Sequence, residues 1–257
     1  MATSLFNKII YGPVHSRRLG VSLGVNLLPV DAKTCTFNCL YCECGLNTAL
    51  NSSLPTPEEV KEQLCVTLAR IANEGKTLDV ITFAGNGEPT MHPDFEEIID
   101  ETITLRNTSY PKMKISVLSN STLIHKPKIF SALNKVDYNI LKMDSAIDST
   151  IKLLNQPASA SFSRNWLVEH LKKFNGNLII QTLFLRGTVK DQVIDNTTEE
   201  EISAWIAALK EIKPKQVMVY SIDRDTPVNT LEKVTEKELF IIAEKVKKLN
   251  IPVIVTA

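Results

Sequence analysis

The sequence is 257 residues long, 44% apolar and 23% charged, enough to bury one large core and too apolar to stay disordered. Its 29 basic and 29 acidic residues cancel, which excludes a global field drawing the chain to nucleic acid or an anionic membrane, while a local basic patch stays open. Neither the opening MATSLFNKII nor any later stretch has the apolar length of an export signal or of a ~20-residue membrane span, so a cytoplasmic protein with no membrane partner is expected.

In chain order, Tyr11-Gly-Pro-Val-His15-Ser16-Arg17-Arg18-Leu-Gly20 comes first, within an N-terminal extension expected over 1–22 and packed on the main body. A histidine beside two arginines suits a grip on a phosphate or carboxylate and, equally, a charged surface turn. A first strand is expected at 24–28. Four of the five cysteines, Cys35, Cys39, Cys42 and Cys44, then crowd into one short loop, and 45–55 reads as a continuation of that loop. A disulfide framework would spread them, so this cluster points to metal binding or catalysis. Thr56-Pro57-Glu58-Glu59 is a capping box that opens a helix with its apolar face on Val60, Leu64, Leu68 and Ile71, ending at Gly75. Cys65 on that helix reads as core.

Short apolar runs at 78–83, 114–118, 138–143, 178–185 and 216–222 then alternate with helix signals. Short helices are expected near 93–106, 126–134 and 163–174. Capping boxes at Thr198/Glu201 and Thr235/Glu238 open two more, the last with Leu239, Ile242, Val246 and Leu249 on its face. A final run at 253–256 adds a seventh strand. The pattern is that of an α/β partial (βα)6 barrel with an additional C-terminal strand, one domain over 1–257 with the barrel at 23–257.

A barrel of βα units gathers its working loops at the C-terminal ends of its strands. The unusual polar residues fall there. The cysteines follow the first run, Gly85-Asn86-Gly87-Glu88 the second and Ser119-Asn120 the third, while Lys142 and Asp144 sit at the end of the fourth. Lys142 and Asp144 share one face of a strand, as a mutual salt bridge or a ligand site. Gln181 interrupts the fifth run, either lining the barrel or satisfied by a neighbouring strand, and Tyr220 ends the sixth. His92, His125 and His170 have no metal-like spacing and receive no role.

Cys35-Thr-Phe-Asn-Cys39-Leu-Tyr41-Cys42 has the spacing CxxxCxxC, and three thiolates suit an iron-sulfur cube with one open iron. A structural zinc site using Cys44 as fourth ligand, in a non-catalytic binding barrel, is the alternative; zinc ribbons, however, draw their second ligand pair from a separate turn. The spacing, with the aromatic before the third cysteine, resembles the signature of the radical S-adenosylmethionine (SAM) superfamily. That resemblance implies a [4Fe-4S] cluster on Cys35, Cys39 and Cys42, whose open iron binds SAM and whose electron breaks the sulfonium to give a 5′-deoxyadenosyl radical. It implies further that Tyr41 packs beside the adenine and that Gly85, Asn86, Gly87 and Glu88 receive the SAM ammonium. Ser119 and Asn120 would meet the ribose and carboxylate, Lys142 and Asp144 would reach SAM from the fourth strand, Gln181 would line the interior, and Tyr220 would lie where the family touches adenine.

The N-terminal run, with Gly24-Val-Asn26-Leu-Leu-Pro29, resembles an uncharacterised bacterial group of that superfamily related to the wyosine-base synthases of tRNA. With no cysteine before 35 and none after 65, a single cluster is expected. The substrate expected is a tRNA or nucleoside-derived base, or else a glycyl residue of a partner enzyme, since compact activases share the spacing. An electron donor such as flavodoxin or ferredoxin is implied. Cys44 has no place in the signature and is expected to pack or support the loop.

Overall fold

A computed structural model describes residues 5–48 and 52–256; the first four positions of the expected extension, part of the 45–55 loop and the last residue lie outside the described residues. The chain begins with two antiparallel strands, β1 (Ile10–Ser16) and β2 (Gly20–Val25). The expected boundary at 22 therefore falls inside a strand, and the segment before it is an edge of the sheet. Strand β2 also stops short of the expected 24–28. Asn26 ends it, because its amide bonds the backbone of Leu28 in both directions and receives Asn86 N, offering the chain a local turn in place of the ladder.

The remaining elements follow as α1 (Pro57–Asn73), β3 (Val80–Phe83), α2 (Phe95–Ser109), β4 (Lys114–Ser119), α3 (Pro127–Lys135), β5 (Tyr138–Lys142), α4 (Asp148–Asn155), α5 (Arg164–Lys172), β6 (Ile179–Val189), β7 (Gln192–Asp195), α6 (Glu199–Ile212), β8 (Gln216–Ser221), β9 (Leu231–Lys233), α7 (Glu236–Lys247) and β10 (Val253–Thr256). The sheet order is β1-β2-β3-β4-β5-β6-β8-β10, and every neighbouring pair from β2 onward is parallel. These seven parallel strands are the expected six and the C-terminal addition. The β1–β2 turn reaches across to the far strands, where Leu19 packs on Ile140, Ile179 and Met218. The sheet is therefore curled into a half-barrel whose ends do not join.

Helices cover the convex face over one large core, while Ile140, Ile179 and Met218 form a small separate layer inside. Buried β-branched and leucine side chains on both faces are what a parallel sheet requires. The boxes at Thr56/Glu59 and Thr235/Glu238 form reciprocally. The third is half-made: Thr198 accepts Glu201 N, but the Glu201 carboxylate turns inward to Ser145 Oγ at 2.7 Å and to Thr150 Oγ1. Burial raises the Glu201 carboxyl above its ordinary range against those two donors. Cys65 is half-buried, not core, because Val66 beside it is exposed and the helix face turns outward there. Among the described residues no helix is long and apolar enough to cross a membrane.

Candidate functional site

The cysteine loop runs from the end of β2 across the C-terminal mouth of the half-barrel. It is tied on two sides. On one, Thr34 N donates to Asn86 O at 2.9 Å and Glu88 N to Thr34 O at 3.2 Å, so the loop runs beside the turn after β3. That approach needs Gly87: it has φ +144°, and a Cβ there would lie 1.7 Å from Thr34 O. On the other, Asn38 N and Leu40 N donate to Asn155 O and Leu154 O, and Ala158 N donates to Thr36 O, fixing the loop to the end of α4 and the segment beyond.

Cys35, Cys39 and Cys42 line one cavity of about 200 Å³ together with Lys33, Phe37, Tyr41, Gly85, Gly87, Glu88, Ser119, Asn120, Lys142 and Gln181. Asn120 Nδ2 lies 3.3 Å from Cys35 Sγ and 2.8 Å from Thr36 Oγ1. Asn155 Nδ2 lies 3.5 Å from Cys39 Sγ. Burial pushes Cys35 up to about 12 and raises Cys39 too. Cys42 is drawn down to about 6 by hydrogen bonding with Cys44, which outweighs burial, with the charge of Lys33 helping. Lys33 is itself buried and donates to Gly45 O at 2.7 Å.

Cys44 lies beside Cys42, with which it hydrogen-bonds, and its thiol is 3.4 Å from Gly85 O, but it does not line the cavity. Four thiols thus do not close on one point, and among the described residues no group of three or more His, Cys, Asp or Glu is arranged to hold a single ion. Three soft donors around a shared hollow fit an iron-sulfur cube with one corner free of protein.

Beside the sulfurs, Glu88 is buried and its carboxylate is saturated by the protein. One oxygen accepts from Thr90 N and Thr90 Oγ1, at 3.2 and 2.5 Å, and the other from Asn120 N at 2.6 Å. Burial raises its carboxyl against these donors. It ties the β3 turn to the β4 turn. There Asn120 Oδ1 receives Thr122 N at 3.0 Å and Ser119 Oγ receives Ser121 N, with Ser121 at φ +72°. The structure turns Asn86 away from the cavity, its amide held by Phe6 N, Phe6 O and Pro29 O at 2.8 Å each.

On the opposite wall Lys142 and Gln181 belong to a polar network with Asp144 and Tyr220, which do not themselves line the cavity. Lys142 Nζ is 3.3 Å from Asp144 Oδ1 and 3.1 Å from Tyr220 OH, to which Gln181 Nε2 donates at 2.8 Å. Asp144 also accepts from Leu183 N at 2.9 Å, Asn155 Nδ2 at 2.8 Å and Tyr41 OH. Burial lowers Lys142, but Asp144 and Tyr220 outweigh it and the amine is held well above its ordinary value, a full cation. Tyr41 is kept protonated by burial and then by the Asp144 charge. The salt bridge between Lys142 and Asp144 therefore exists, and Lys142 still lines the cavity, 5.1 Å from the centre of the Tyr41 ring.

The N-terminal basic residues separate. His15 is exposed, Arg17 pairs with Asp223 at 3.3 Å, and Arg18 lies over the Tyr220 ring at 4.6 Å. The buried His92 ring bonds Pro55 O at 2.8 Å, which is a structural use. Sequence reasoning missed Lys33, Phe37 and Asn155. Lys33 gave one signal, a lone cation two places before the first cysteine; Asn155 gave none, since α4 itself was not foreseen.

A family model for the radical SAM superfamily matches residues 31–146. A UPF0026 protein of Synechocystis is 31% identical over 227 residues, 85% of this chain and 77% of its own length. A protein of Brachyspira hyodysenteriae described as GTPase Obg is 31% identical over 249 residues, 96% of this chain, which spans only 34% of that relative. Among solved structures, a radical SAM methyltransferase from Sphaerobacter thermophilus has the same fold, with a TM-score of 0.67 at 14% identity over 91% of this chain and 65% of its own.

Proposed function

The chain belongs to the UPF0026 family and to the radical SAM superfamily, and on that premise we propose a cytoplasmic enzyme in which Cys35, Cys39 and Cys42 hold a [4Fe-4S] cluster beside a bound SAM. When bound, the cluster would supply one electron for reductive cleavage of the SAM sulfonium, which would initiate removal of a hydrogen atom from the substrate. The observation that carries this reading is the set of three thiols lining one cavity that the fourth thiol does not line.

The residues around the cavity divide the remaining work. Gly85, Gly87, Glu88, Ser119 and Asn120 would receive the amino-acid end of SAM. Glu88 acts by charge and by fixing the two turns, since its oxygens are already occupied. Tyr41, Lys142, Asp144, Gln181 and Tyr220 would receive the nucleoside end as one prearranged network. Asn86 contributes by holding the turn from behind.

Of the two substrate classes, a nucleoside-derived base is favoured over a glycyl residue. Lys142 and Arg18 flank Tyr220 inside the half-barrel, whereas the apolar groove of Leu68, Ile71, Tyr110 and Met113 lies at the N-terminal ends of β3 and β4, away from the cavity. For the electron donor, a flavodoxin or ferredoxin, a row of rings supports entry beside α5. Phe37, between two cluster cysteines, meets Phe162 at 5.3 Å, Phe162 meets Trp166 at 5.3 Å, and Trp166 stacks on His170 at 4.1 Å. Exposed Lys126, next to a His125 ring 5.4 Å from that of Trp166, and exposed Lys173, at the end of α5, form no ion pair among the described residues, which suits an acidic carrier.

Anaerobic purification tests the reading. The expected protein is brown with about four iron per chain and loses colour in Cys42→Ala, whereas Cys44→Ala keeps its iron. Colourless protein with one zinc would refute it.

A further inference from the structure

The β1–β2 turn does more than close a hairpin. Leu19 packs on Ile140, Ile179 and Met218, and two residues further along those three strands stand Lys142, Gln181 and Tyr220. Side chains two apart on a strand face the same way, so the turn plugs the half-barrel one layer below the polar network. Arg18 rises from this plug to the Tyr220 ring, 4.6 Å from its centroid, on a tyrosine whose hydroxyl is already bound by Lys142 and Gln181.

The Arg18 guanidinium makes no hydrogen bond or ion pair among the described residues, and its Nη1 is buried without a partner. The nearby carboxylates are committed elsewhere. Asp223 pairs with Arg17 at 3.3 Å and Lys233 at 3.8 Å, and Asp144 serves Lys142, Leu183 N, Asn155 and Tyr41. Around Tyr220, therefore, two cations face one carboxylate. Leaving the buried Nη1 of a half-buried guanidinium without an acceptor costs free energy that an oxyanion ligand would recover, and the planar fork of arginine matches carboxylate and phosphate oxygens.

We propose that Arg18 is the anchor for an anionic group of the substrate, a phosphate or carboxylate seated inside the half-barrel beside Tyr220, with the rest of the molecule extending toward the cysteine cavity. This rests on the radical SAM reading and adds the substrate's chemical class. Arg18 is a binding and specificity residue in this account, and no chemical step passes through it.

The test uses the anaerobically reconstituted protein with SAM present. Binding of inorganic phosphate and, separately, of acetate is measured by isothermal titration in the wild type and in Arg18→Met, Arg18→Lys and Arg17→Met, with circular dichroism verifying that each variant is folded. At least one probe should bind the wild type, weaken by about tenfold or more in Arg18→Met, recover in part in Arg18→Lys and change little in Arg17→Met. Phosphate binding alone identifies a phosphorylated substrate, acetate binding alone a carboxylate. Equal binding in folded Arg18→Met, or no binding of either probe to the wild type, would overturn the proposal. So would loss in Arg18→Met of the change that SAM makes in the reduced-cluster electron paramagnetic resonance spectrum, because Arg18 would then belong to SAM. Absence of that change in the wild type would instead sink the underlying reading.

Discussion

Gly87 and Gly75 both have positive φ, yet only one of them is fixed by its neighbours. A Cβ on Gly75 would meet nothing within 4 Å, so Gly75→Ala carries only the strain of a left-handed alanine, about 1–2 kcal/mol. Gly87→Ala would drive a methyl into Thr34 O and separate the cysteine loop from the β3 turn; urea unfolding should show a loss of at least ~3 kcal/mol. Asp144→Ala strands the Lys142 cation in a buried wall and should cost roughly 3–5 kcal/mol by the same measurement. Glu201 gives a pH prediction. Its folded pKa lies above the unfolded value of 4.5, so the native state holds the extra proton and the group's contribution to stability falls as pH rises through and above 4.5. Glu201→Gln removes that slope, and the difference in urea midpoint between wild type and variant should grow in the variant's favour from pH 4 to pH 7. At this scale the cysteines, Glu88, Asn120 and Lys142 were legible because polar residues at strand ends have few other uses. The orientation of Asn86 was not: a side chain in a glycine-flanked turn can face either way, and what decided it was Phe6, eighty positions distant.

The parallel strands were legible as apolar runs because both of their faces are covered. Strand β1 was not, since it mixes exposed Val14 and His15 with Gly12 and Pro13, and neither were β7 and β9, short antiparallel additions to the outer end of β6. Helix α4 was hidden by its eight-residue length and by an N-cap, Ile147, that makes no side-chain bond. Yet α4 supplies Asn155, so one missed element carried a missed site residue. Helix α5 holds the outer rings of the Phe37 row, and the charges around it give a prediction at this scale. Reversing Lys126 and Lys173 to glutamate should slow cluster reduction by an acidic flavodoxin at least tenfold at low salt, by stopped-flow absorbance, while reduction by dithionite stays unchanged. Equal slowing with both reductants would mean that the cluster itself had been disturbed.

The whole molecule is a half-barrel, and the polar residues that follow the apolar runs in sequence gather on one of its rims. What the sequence hid at this scale is the plug: the β1–β2 turn crosses to the far strands because the sheet curls, and curvature cannot be read from strand composition. The half-barrel leaves a mouth for a second molecule next to the sulfurs. Anaerobically reconstituted protein, reduced with dithionite and given SAM, should yield 5′-deoxyadenosine and methionine by liquid chromatography, and the Cys42→Ala variant should yield neither. Intact cluster with SAM unchanged after prolonged reduction would contradict the account.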